Sequence, residues 1–272
     1  MNATPSTTLA DEGFLSDETA AVVTTIRAKY VSWFSELRIL NGLLVRAQYG
    51  LTIHIQSARE VVCAALYVRA LVHGQATVLL IERGMAASAR AMARCAMEAL
   101  FNLGACAREP AKALAFLDAD EVDNLRKAKY LATVKDPTTR ETVAESNLDQ
   151  ILVDTQRRIS ELDARELKTR DMAKAAGLED LYLTGYAFLC GAVHSSARDI
   201  DQHFEVDADG NPRALVNEPI IDGLDKLCLM VGEIMVASSR ALAEVFGVPI
   251  VACEESLERL HTLWKQSDRS GR

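Results

Sequence analysis

Apolar residues recur at three- and four-residue steps along most of the chain, the period of amphipathic helices. From Asp17 onward, "ETAAVVTTIRAKYVSWFSELRILNGLLVRAQYG" repeats at Val22, Ile26, Tyr30, Phe34, Leu37, Leu40 and Leu44 and predicts one long helix. A second helix is expected from about Thr52 to Val72, with Gly74 marking the turn. In the third segment, "QATVLLIERGMAASARAMARCAMEALFNLGACA", nearly every position is apolar or small apart from Glu82, Arg83, Arg90, Arg94, Glu98 and Asn102. A helix apolar on most sides packs among neighbours, so this segment is the expected centre of the fold. Gly84 is placed to kink it or split it in two.

Pro110 opens the next helix, through "AKALAFLDADEVDNLRKAKYLA", and "KDPTTRE" reads as an interrupting loop. The charge-rich stretch that follows has a thin apolar stripe at Leu148, Leu152, Ile159 and Leu162, the pattern of a solvated outer helix. Short alternation around Asp209-Gly210 in "FEVDADGNPRALV" predicts a β-hairpin. Two helices, about Ile221 to Phe246 and Cys253 to Lys265, close the chain on either side of "GVP". The expectation is a flexible 1–15 followed by one all-α domain over 16–268, a multi-helix bundle of about seven or eight helices with one small β-hairpin.

Composition agrees with that class. Hydrophobic residues at 49% and charged residues at 25% are ordinary globular usage, and aromatics at 6% with abundant Ala and Leu favour helix over strand. The net charge of −8 argues against a uniformly basic polyanion binder and leaves a local basic patch open. Six cysteines without a C-x-x-C pair read as buried reduced thiols, and the first residues lack a basic leader with an apolar core. The longest uncharged run, Leu181 to Ala197, is too short and too polar to span a bilayer. A cytoplasmic protein without a membrane partner is expected.

The chemistry-bearing residues are few. Glu258-x-x-His261 stands alone where a di-iron bundle needs two such pairs, and no close-spaced His/Cys set, lysine-terminated phosphate loop or G-x-S-x-G turn occurs. No metal and no cofactor are expected. "RDMAKAAGLEDLYLTG" has the outline of a helix-turn-helix, but its second half offers no Arg, Lys, Asn or Gln to base edges, so sequence-specific DNA is not an expected partner.

Arg90, Arg94, Glu98 and Asn102 form an i, i+4 ladder on the central helix. With apolar faces around it, this ladder is either an ion-paired tie between helices or an anion-binding wall. Further on, His194 ends an apolar run, and Arg198 followed by His203 resembles the Arg-x4–6-His signature of HEPN-type ribonucleases. That resemblance implies metal-independent RNA cleavage, with Arg stabilising phosphate charge and His moving the proton.

Several spaced pieces over about 75–220 also resemble a bacterial all-helical family classed as a domain of unknown function: "RGMAASARAMARCAMEALFNLGACAREP", "LRKAKYL", "MAKAAGLEDLYLTGYAFLCGAVHSS", the "DADG" turn and Pro219. The resemblance singles out Arg94, Glu98, Arg126, Lys127, Tyr186, Leu189, Cys190, Val193 and His194, with Cys190 at a position more often Ser. It implies an all-helical intracellular protein and supplies no reaction. Candidate catalytic residues are therefore Arg198, His203, His194, Arg94 and Glu98. The best-specified activity is a HEPN-like ribonuclease of toxin or defence type with RNA as partner. The companion reading is a non-catalytic protein that binds a partner or forms a homodimer through its long N-terminal helix, with Arg94, Glu98 and His194 as structural glue.

Overall fold

A computed structural model describes residues 6–145, 147–193, 200 and 203–270. A helical turn α1 (Leu9–Glu12) and a 3-10 turn (Gly13–Leu15) lead into α2 (Thr19–Lys29), α3 (Val31–Tyr49), α4 (Ala58–Ile81) and α5 (Ala86–Arg108). Then follow α6 (Pro110–Ala132), α7 (Pro137–Glu145), α8 (Leu148–Leu162), α9 (Thr169–Ala175) and α10 (Glu179–Leu181). A π-helical turn (Tyr182–Tyr186) runs into α11 (Ala187–Val193), the hairpin β1 (Phe204–Val206) and β2 (Pro212–Leu215), and finally α12 (Asp225–Phe246) and α13 (Val251–Ser270). The expected all-α architecture with one antiparallel hairpin is the one observed.

Several boundaries differ from the sequence reading, each for a local reason. The single N-terminal helix is two, broken at Tyr30 (φ −110°, ψ 30°), where the buried phenol accepts a hydrogen bond from the Leu224 backbone N–H. The apolar period survives the break because Tyr30 N–H still bonds Ile26 and its own carbonyl still serves Phe34. Gly74 is not a turn but lies inside α4, where a Cβ would come within 3.2 Å of Met235 Cγ; the missing side chain lets α12 lie close. The turn falls at Gly84 (φ +71°), which splits the third segment between α4 and α5. "KDPTTRE" is mostly helix α7, because Asp136 Oδ2 accepts from both the Thr139 N–H and its hydroxyl ahead of Pro137.

Two layers hold the core. Helices α3 and α4 run antiparallel, as the bonds from Tyr67 to the Leu44 carbonyl, Gln75 to Asn41 and Arg38 to Glu82 require, and the bond from Arg59 to the Ala107 carbonyl sets the start of α4 beside the end of an antiparallel α5. Behind them lies α12, packed on all three and backed by α13, with Ile81, Leu100, Val231, Ile234 and Leu260 fully buried. Alanines 89, 93, 96 and 99 on α5 are buried, and Gly104 backs onto Ala176 just past the end of α9. Glu36 ties α3 to α13 through Ser256 and a two-pronged bond from Arg259. Helices α3 and α4 expose Val31, Ile39, Val72 and Leu79, whereas α5 is covered further by α9 and α11. To one side α6 pairs with α8, and both faces of the hairpin are solvent-exposed.

Candidate functional site: an arginine–tyrosine–glutamate centre on a basic helical face

Arg94 is withdrawn from water, with 17% of its side chain exposed. Its Nη2 ion-pairs with Glu98 Oε1 at 2.9 Å, one turn along α5, and donates to the Tyr186 hydroxyl at 2.8 Å. That hydroxyl in turn donates to Glu98 Oε1 at 2.5 Å, so one phenol bridges the two halves of the ion pair. The guanidinium also lies 5.1 Å from the Tyr186 ring centroid, a cation–π contact. Arg94 Nε is buried with no hydrogen-bond partner among the described residues.

Tyr186 reaches this position because the chain over Tyr182–Tyr186 is wound as a π-turn. Such a turn inserts an extra residue into the helix and re-aims the side chains around it. Here it stacks Tyr182 on Tyr186, centroids 5.1 Å apart, with Phe101 of α5 edge-on to Tyr186. Gly185 is part of that fit, since a Cβ there would come within 3.2 Å of Met97. Burial and the bond to Glu98 push the Tyr186 hydroxyl up to about 12, so it stays a donor through the neutral range. Burial opposes the charge on Arg94, but Tyr186 and Glu98 outweigh it and raise the group above its ordinary value.

Two residues of α4 extend the cluster. His73 is half-buried and lies within electrostatic reach of Glu98 and of Arg69, one turn before it. Burial and the Arg69 charge hold its imidazole below the ordinary value, against a smaller upward pull from Glu98. Half-buried Cys95 feels Glu98, Arg94 and Arg69 together, and burial raises its thiol. Half-buried Cys190 of α11 also lies within electrostatic reach of Arg94.

The surroundings are basic in a chain that is not. Residues 19–108 carry ten Lys and Arg against four Asp and Glu, a net of +6, so the rest of the chain sums to −14 within the overall −8. Of the four acids, Glu36 and Glu82 are buried, Glu82 beneath Arg27 and Arg38. Arg46, Arg69 and Arg83 are exposed and have no carboxylate within ion-pair distance among the described residues. Between them α4 shows an almost uncharged stripe of Val61, Ala65, Val68, Val72, Ala76 and Leu79. By length and composition α4 is apolar enough to cross a membrane, and 44% of its most apolar window is buried in the fold.

The expected site residues divide accordingly. Arg94 and Glu98 are brought together as anticipated, and the third group facing them is the phenol of Tyr186. His194 and Arg198 lie outside the described residues, as do Ser195 and Ser196. His203 stands exposed at the foot of the hairpin, its carbonyl bonded to Val216 N–H. It lines a cavity of about 400 Å³ with Gly84, Met85 and Ser88 at the start of α5, which neither Arg94 nor Glu98 lines. Arg126 of α6 belongs to a surface network with Asp123 of the same helix and Glu166 beyond α8. Leu189 is core. His73 and Arg69 escaped the sequence reading because the helix end was placed at Val72, which hid their shared face.

No curated protein and no solved structure matches the chain significantly. Residues 60–212, from the first turn of α4 to the start of β2, match a family whose function is unknown; they contain Arg94, Glu98, Tyr186 and the π-turn that joins them. With more than half of its length covered, the chain belongs to that family, DUF5677.

Proposed function

We propose that this protein binds and cleaves RNA without a metal ion, as a HEPN-like ribonuclease of toxin or defence type. The observation that carries the reading is the charge segregation: a net of +6 over residues 19–108 on a chain of net −8, with Arg46, Arg69 and Arg83 lacking acid partners among the described residues. Lys and Arg that neutralise phosphates supply most of the affinity for a polyanion, and a local basic face suffices where the rest of the surface is acidic. In metal-independent cleavage the ribose 2′-hydroxyl is the nucleophile, so the protein needs a cation at the phosphate and a group that moves a proton. A half-buried guanidinium fixed by Glu98 and Tyr186 is suited to the first role.

The companion reading, a non-catalytic partner-binding protein, is favoured by a different feature. Arg94, Glu98 and Tyr186 satisfy one another in a closed triangle, as structural glue would. One experiment separates the two: end-labelled single-stranded RNA with purified protein in EDTA, reading both binding and cleavage, alongside an Arg46→Glu/Arg83→Glu variant. The ribonuclease reading expects EDTA-resistant cleavage. It also expects binding that weakens with salt, with the slope of log K against log salt reduced by roughly 1.4 in the variant. Wild-type protein that neither binds nor cleaves RNA at low salt refutes it and leaves the partner-binding reading.

A further inference from the structure

We infer that His73 is the proton-transfer residue of this face and Arg69 its phosphate-holding partner, so that the α4–α5 surface takes an RNA phosphodiester. This rests on the ribonuclease reading and names its chemistry. A histidine on an apolar helix is ordinarily a core residue whose ring is satisfied by hydrogen bonds. His73 is different: it is half-buried, and neither ring nitrogen has a hydrogen-bond partner among the described residues. Arg69 precedes it by one turn on the same helix, exposed and without an acid partner among the described residues. Side chains at i and i+4 are neighbours, so one bound phosphodiester can meet both.

The facing helix supplies the rest. Glu98 is close enough for its charge to act on the imidazole, and its Oε1 is held in place by Arg94 and Tyr186. A carboxylate near a histidine stabilises the imidazolium that forms when the ring takes a proton. Burial and the Arg69 charge keep the imidazole neutral near pH 7, the form a base requires.

In the step this geometry permits, a ring nitrogen of His73 takes the proton of a ribose 2′-hydroxyl. The 2′-oxygen then bonds to the adjacent phosphorus, and the bond from phosphorus to the 5′-oxygen breaks. The leaving oxygen is protonated by a water molecule, and the imidazolium returns its proton to the resulting hydroxide. The products are a 2′,3′-cyclic phosphate and a 5′-hydroxyl, with no oxidant, reductant or metal consumed.

The test compares wild type with His73→Ala and Arg69→Ala on labelled RNA in EDTA. His73→Ala is expected to cleave at least about 100-fold more slowly while binding RNA within about twofold of wild type and unfolding at the same urea concentration. Arg69→Ala is expected to weaken binding. Cleavage by His73→Ala at the wild-type rate overturns this inference and leaves the ribonuclease reading standing, whereas no cleavage by wild type overturns both. Should His73→Ala not fold, the wild-type rate between pH 5 and 8 decides. The charges that act on His73 are Arg69 from α4 and Glu98 from α5. The expected profile falls on the acid side with an apparent pKa below the ordinary 6.5 of histidine, and a flat profile through that range overturns the assignment.

Discussion

Replacing Tyr186 and Glu98 singly and together measures whether the phenol bridges the ion pair. In Tyr186→Phe the ring keeps its contacts with Phe101, Tyr182 and the Arg94 guanidinium, so no cavity opens. What is lost is one hydroxyl that bonds to two charged groups. Hydrogen bonds to charges contribute about 1.5–3 kcal/mol, and water reaching the partly exposed Glu98 replaces some of that, so about 1–2 kcal/mol is expected. Glu98→Ala orphans a guanidinium that is only 17% exposed. Breaking a fully buried pair costs about 3–5 kcal/mol, and the 34% exposure of Glu98 reduces the expectation to about 2–3 kcal/mol. Because both changes remove the same hydrogen bond, the double variant should fall short of the sum by about 0.5–1 kcal/mol. Urea unfolding checks all three through the midpoint, provided the slope stays constant. A Glu98→Ala midpoint within about 0.5 kcal/mol of wild type would mean that Arg94 is not held out of water. Strict additivity would mean that the hydroxyl does not join the two groups.

Three further outcomes follow from the packing and the buried charges. Gly84→Ala should destabilise by about 2 kcal/mol or more, since the residue sits at φ +71° and the new Cβ would come within 2.7 Å of Pro219 Cβ; thermal unfolding reads the loss, and an unchanged midpoint refutes the turn. For Glu82, burial works against ionisation, but Arg27 and Arg38 overcome it and hold the carboxyl below its ordinary 4.5. Its contribution is therefore complete above that value and is lost as pH falls through the lower folded-state pKa, so the stability of Glu82→Gln should change less than that of wild type on going below about pH 5. The thiols of Cys63, Cys106 and Cys228 are pushed up by burial to about 11, 12 and 12, and should resist a colourimetric thiol reagent at pH 8 until urea exposes all six cysteines. Rapid reaction of all six thiols in the folded protein would contradict the core.

The all-helical class was legible because it rests on a period that tertiary contacts leave intact. Even the break at Tyr30 preserves the register of Ile26 and Phe34, which is why the pattern could not reveal it. Glycine was the ambiguous letter. Gly74 and Gly84 look alike in sequence, yet one thins a helix where Met235 crosses it and the other turns the chain with a positive φ. The difference lies in what packs against each, and a linear pattern does not carry that. The consequence for the site was direct: with the helix ended before Gly74, Arg69 and His73 could not be seen as consecutive turns of one face beside Glu98.

The Arg94–Glu98 pair was legible for the opposite reason, since an i, i+4 ladder inside an apolar helix fixes its own geometry. Its third member depended on a π-turn, which shifts Tyr186 out of the position that ordinary helical spacing assigns to it. Net charge misled in a similar way. A total of −8 hides a net of +6 over α2–α5 (residues 19–108), because that third of the chain holds only four acids while the others are spread over the rest. Electrostatic attraction acts over roughly 8–10 Å at physiological salt, so an anion approaching those helices is governed by the arginines within that distance. The net charge of a chain bears on its solubility, and the local sign of a face on which charges it attracts.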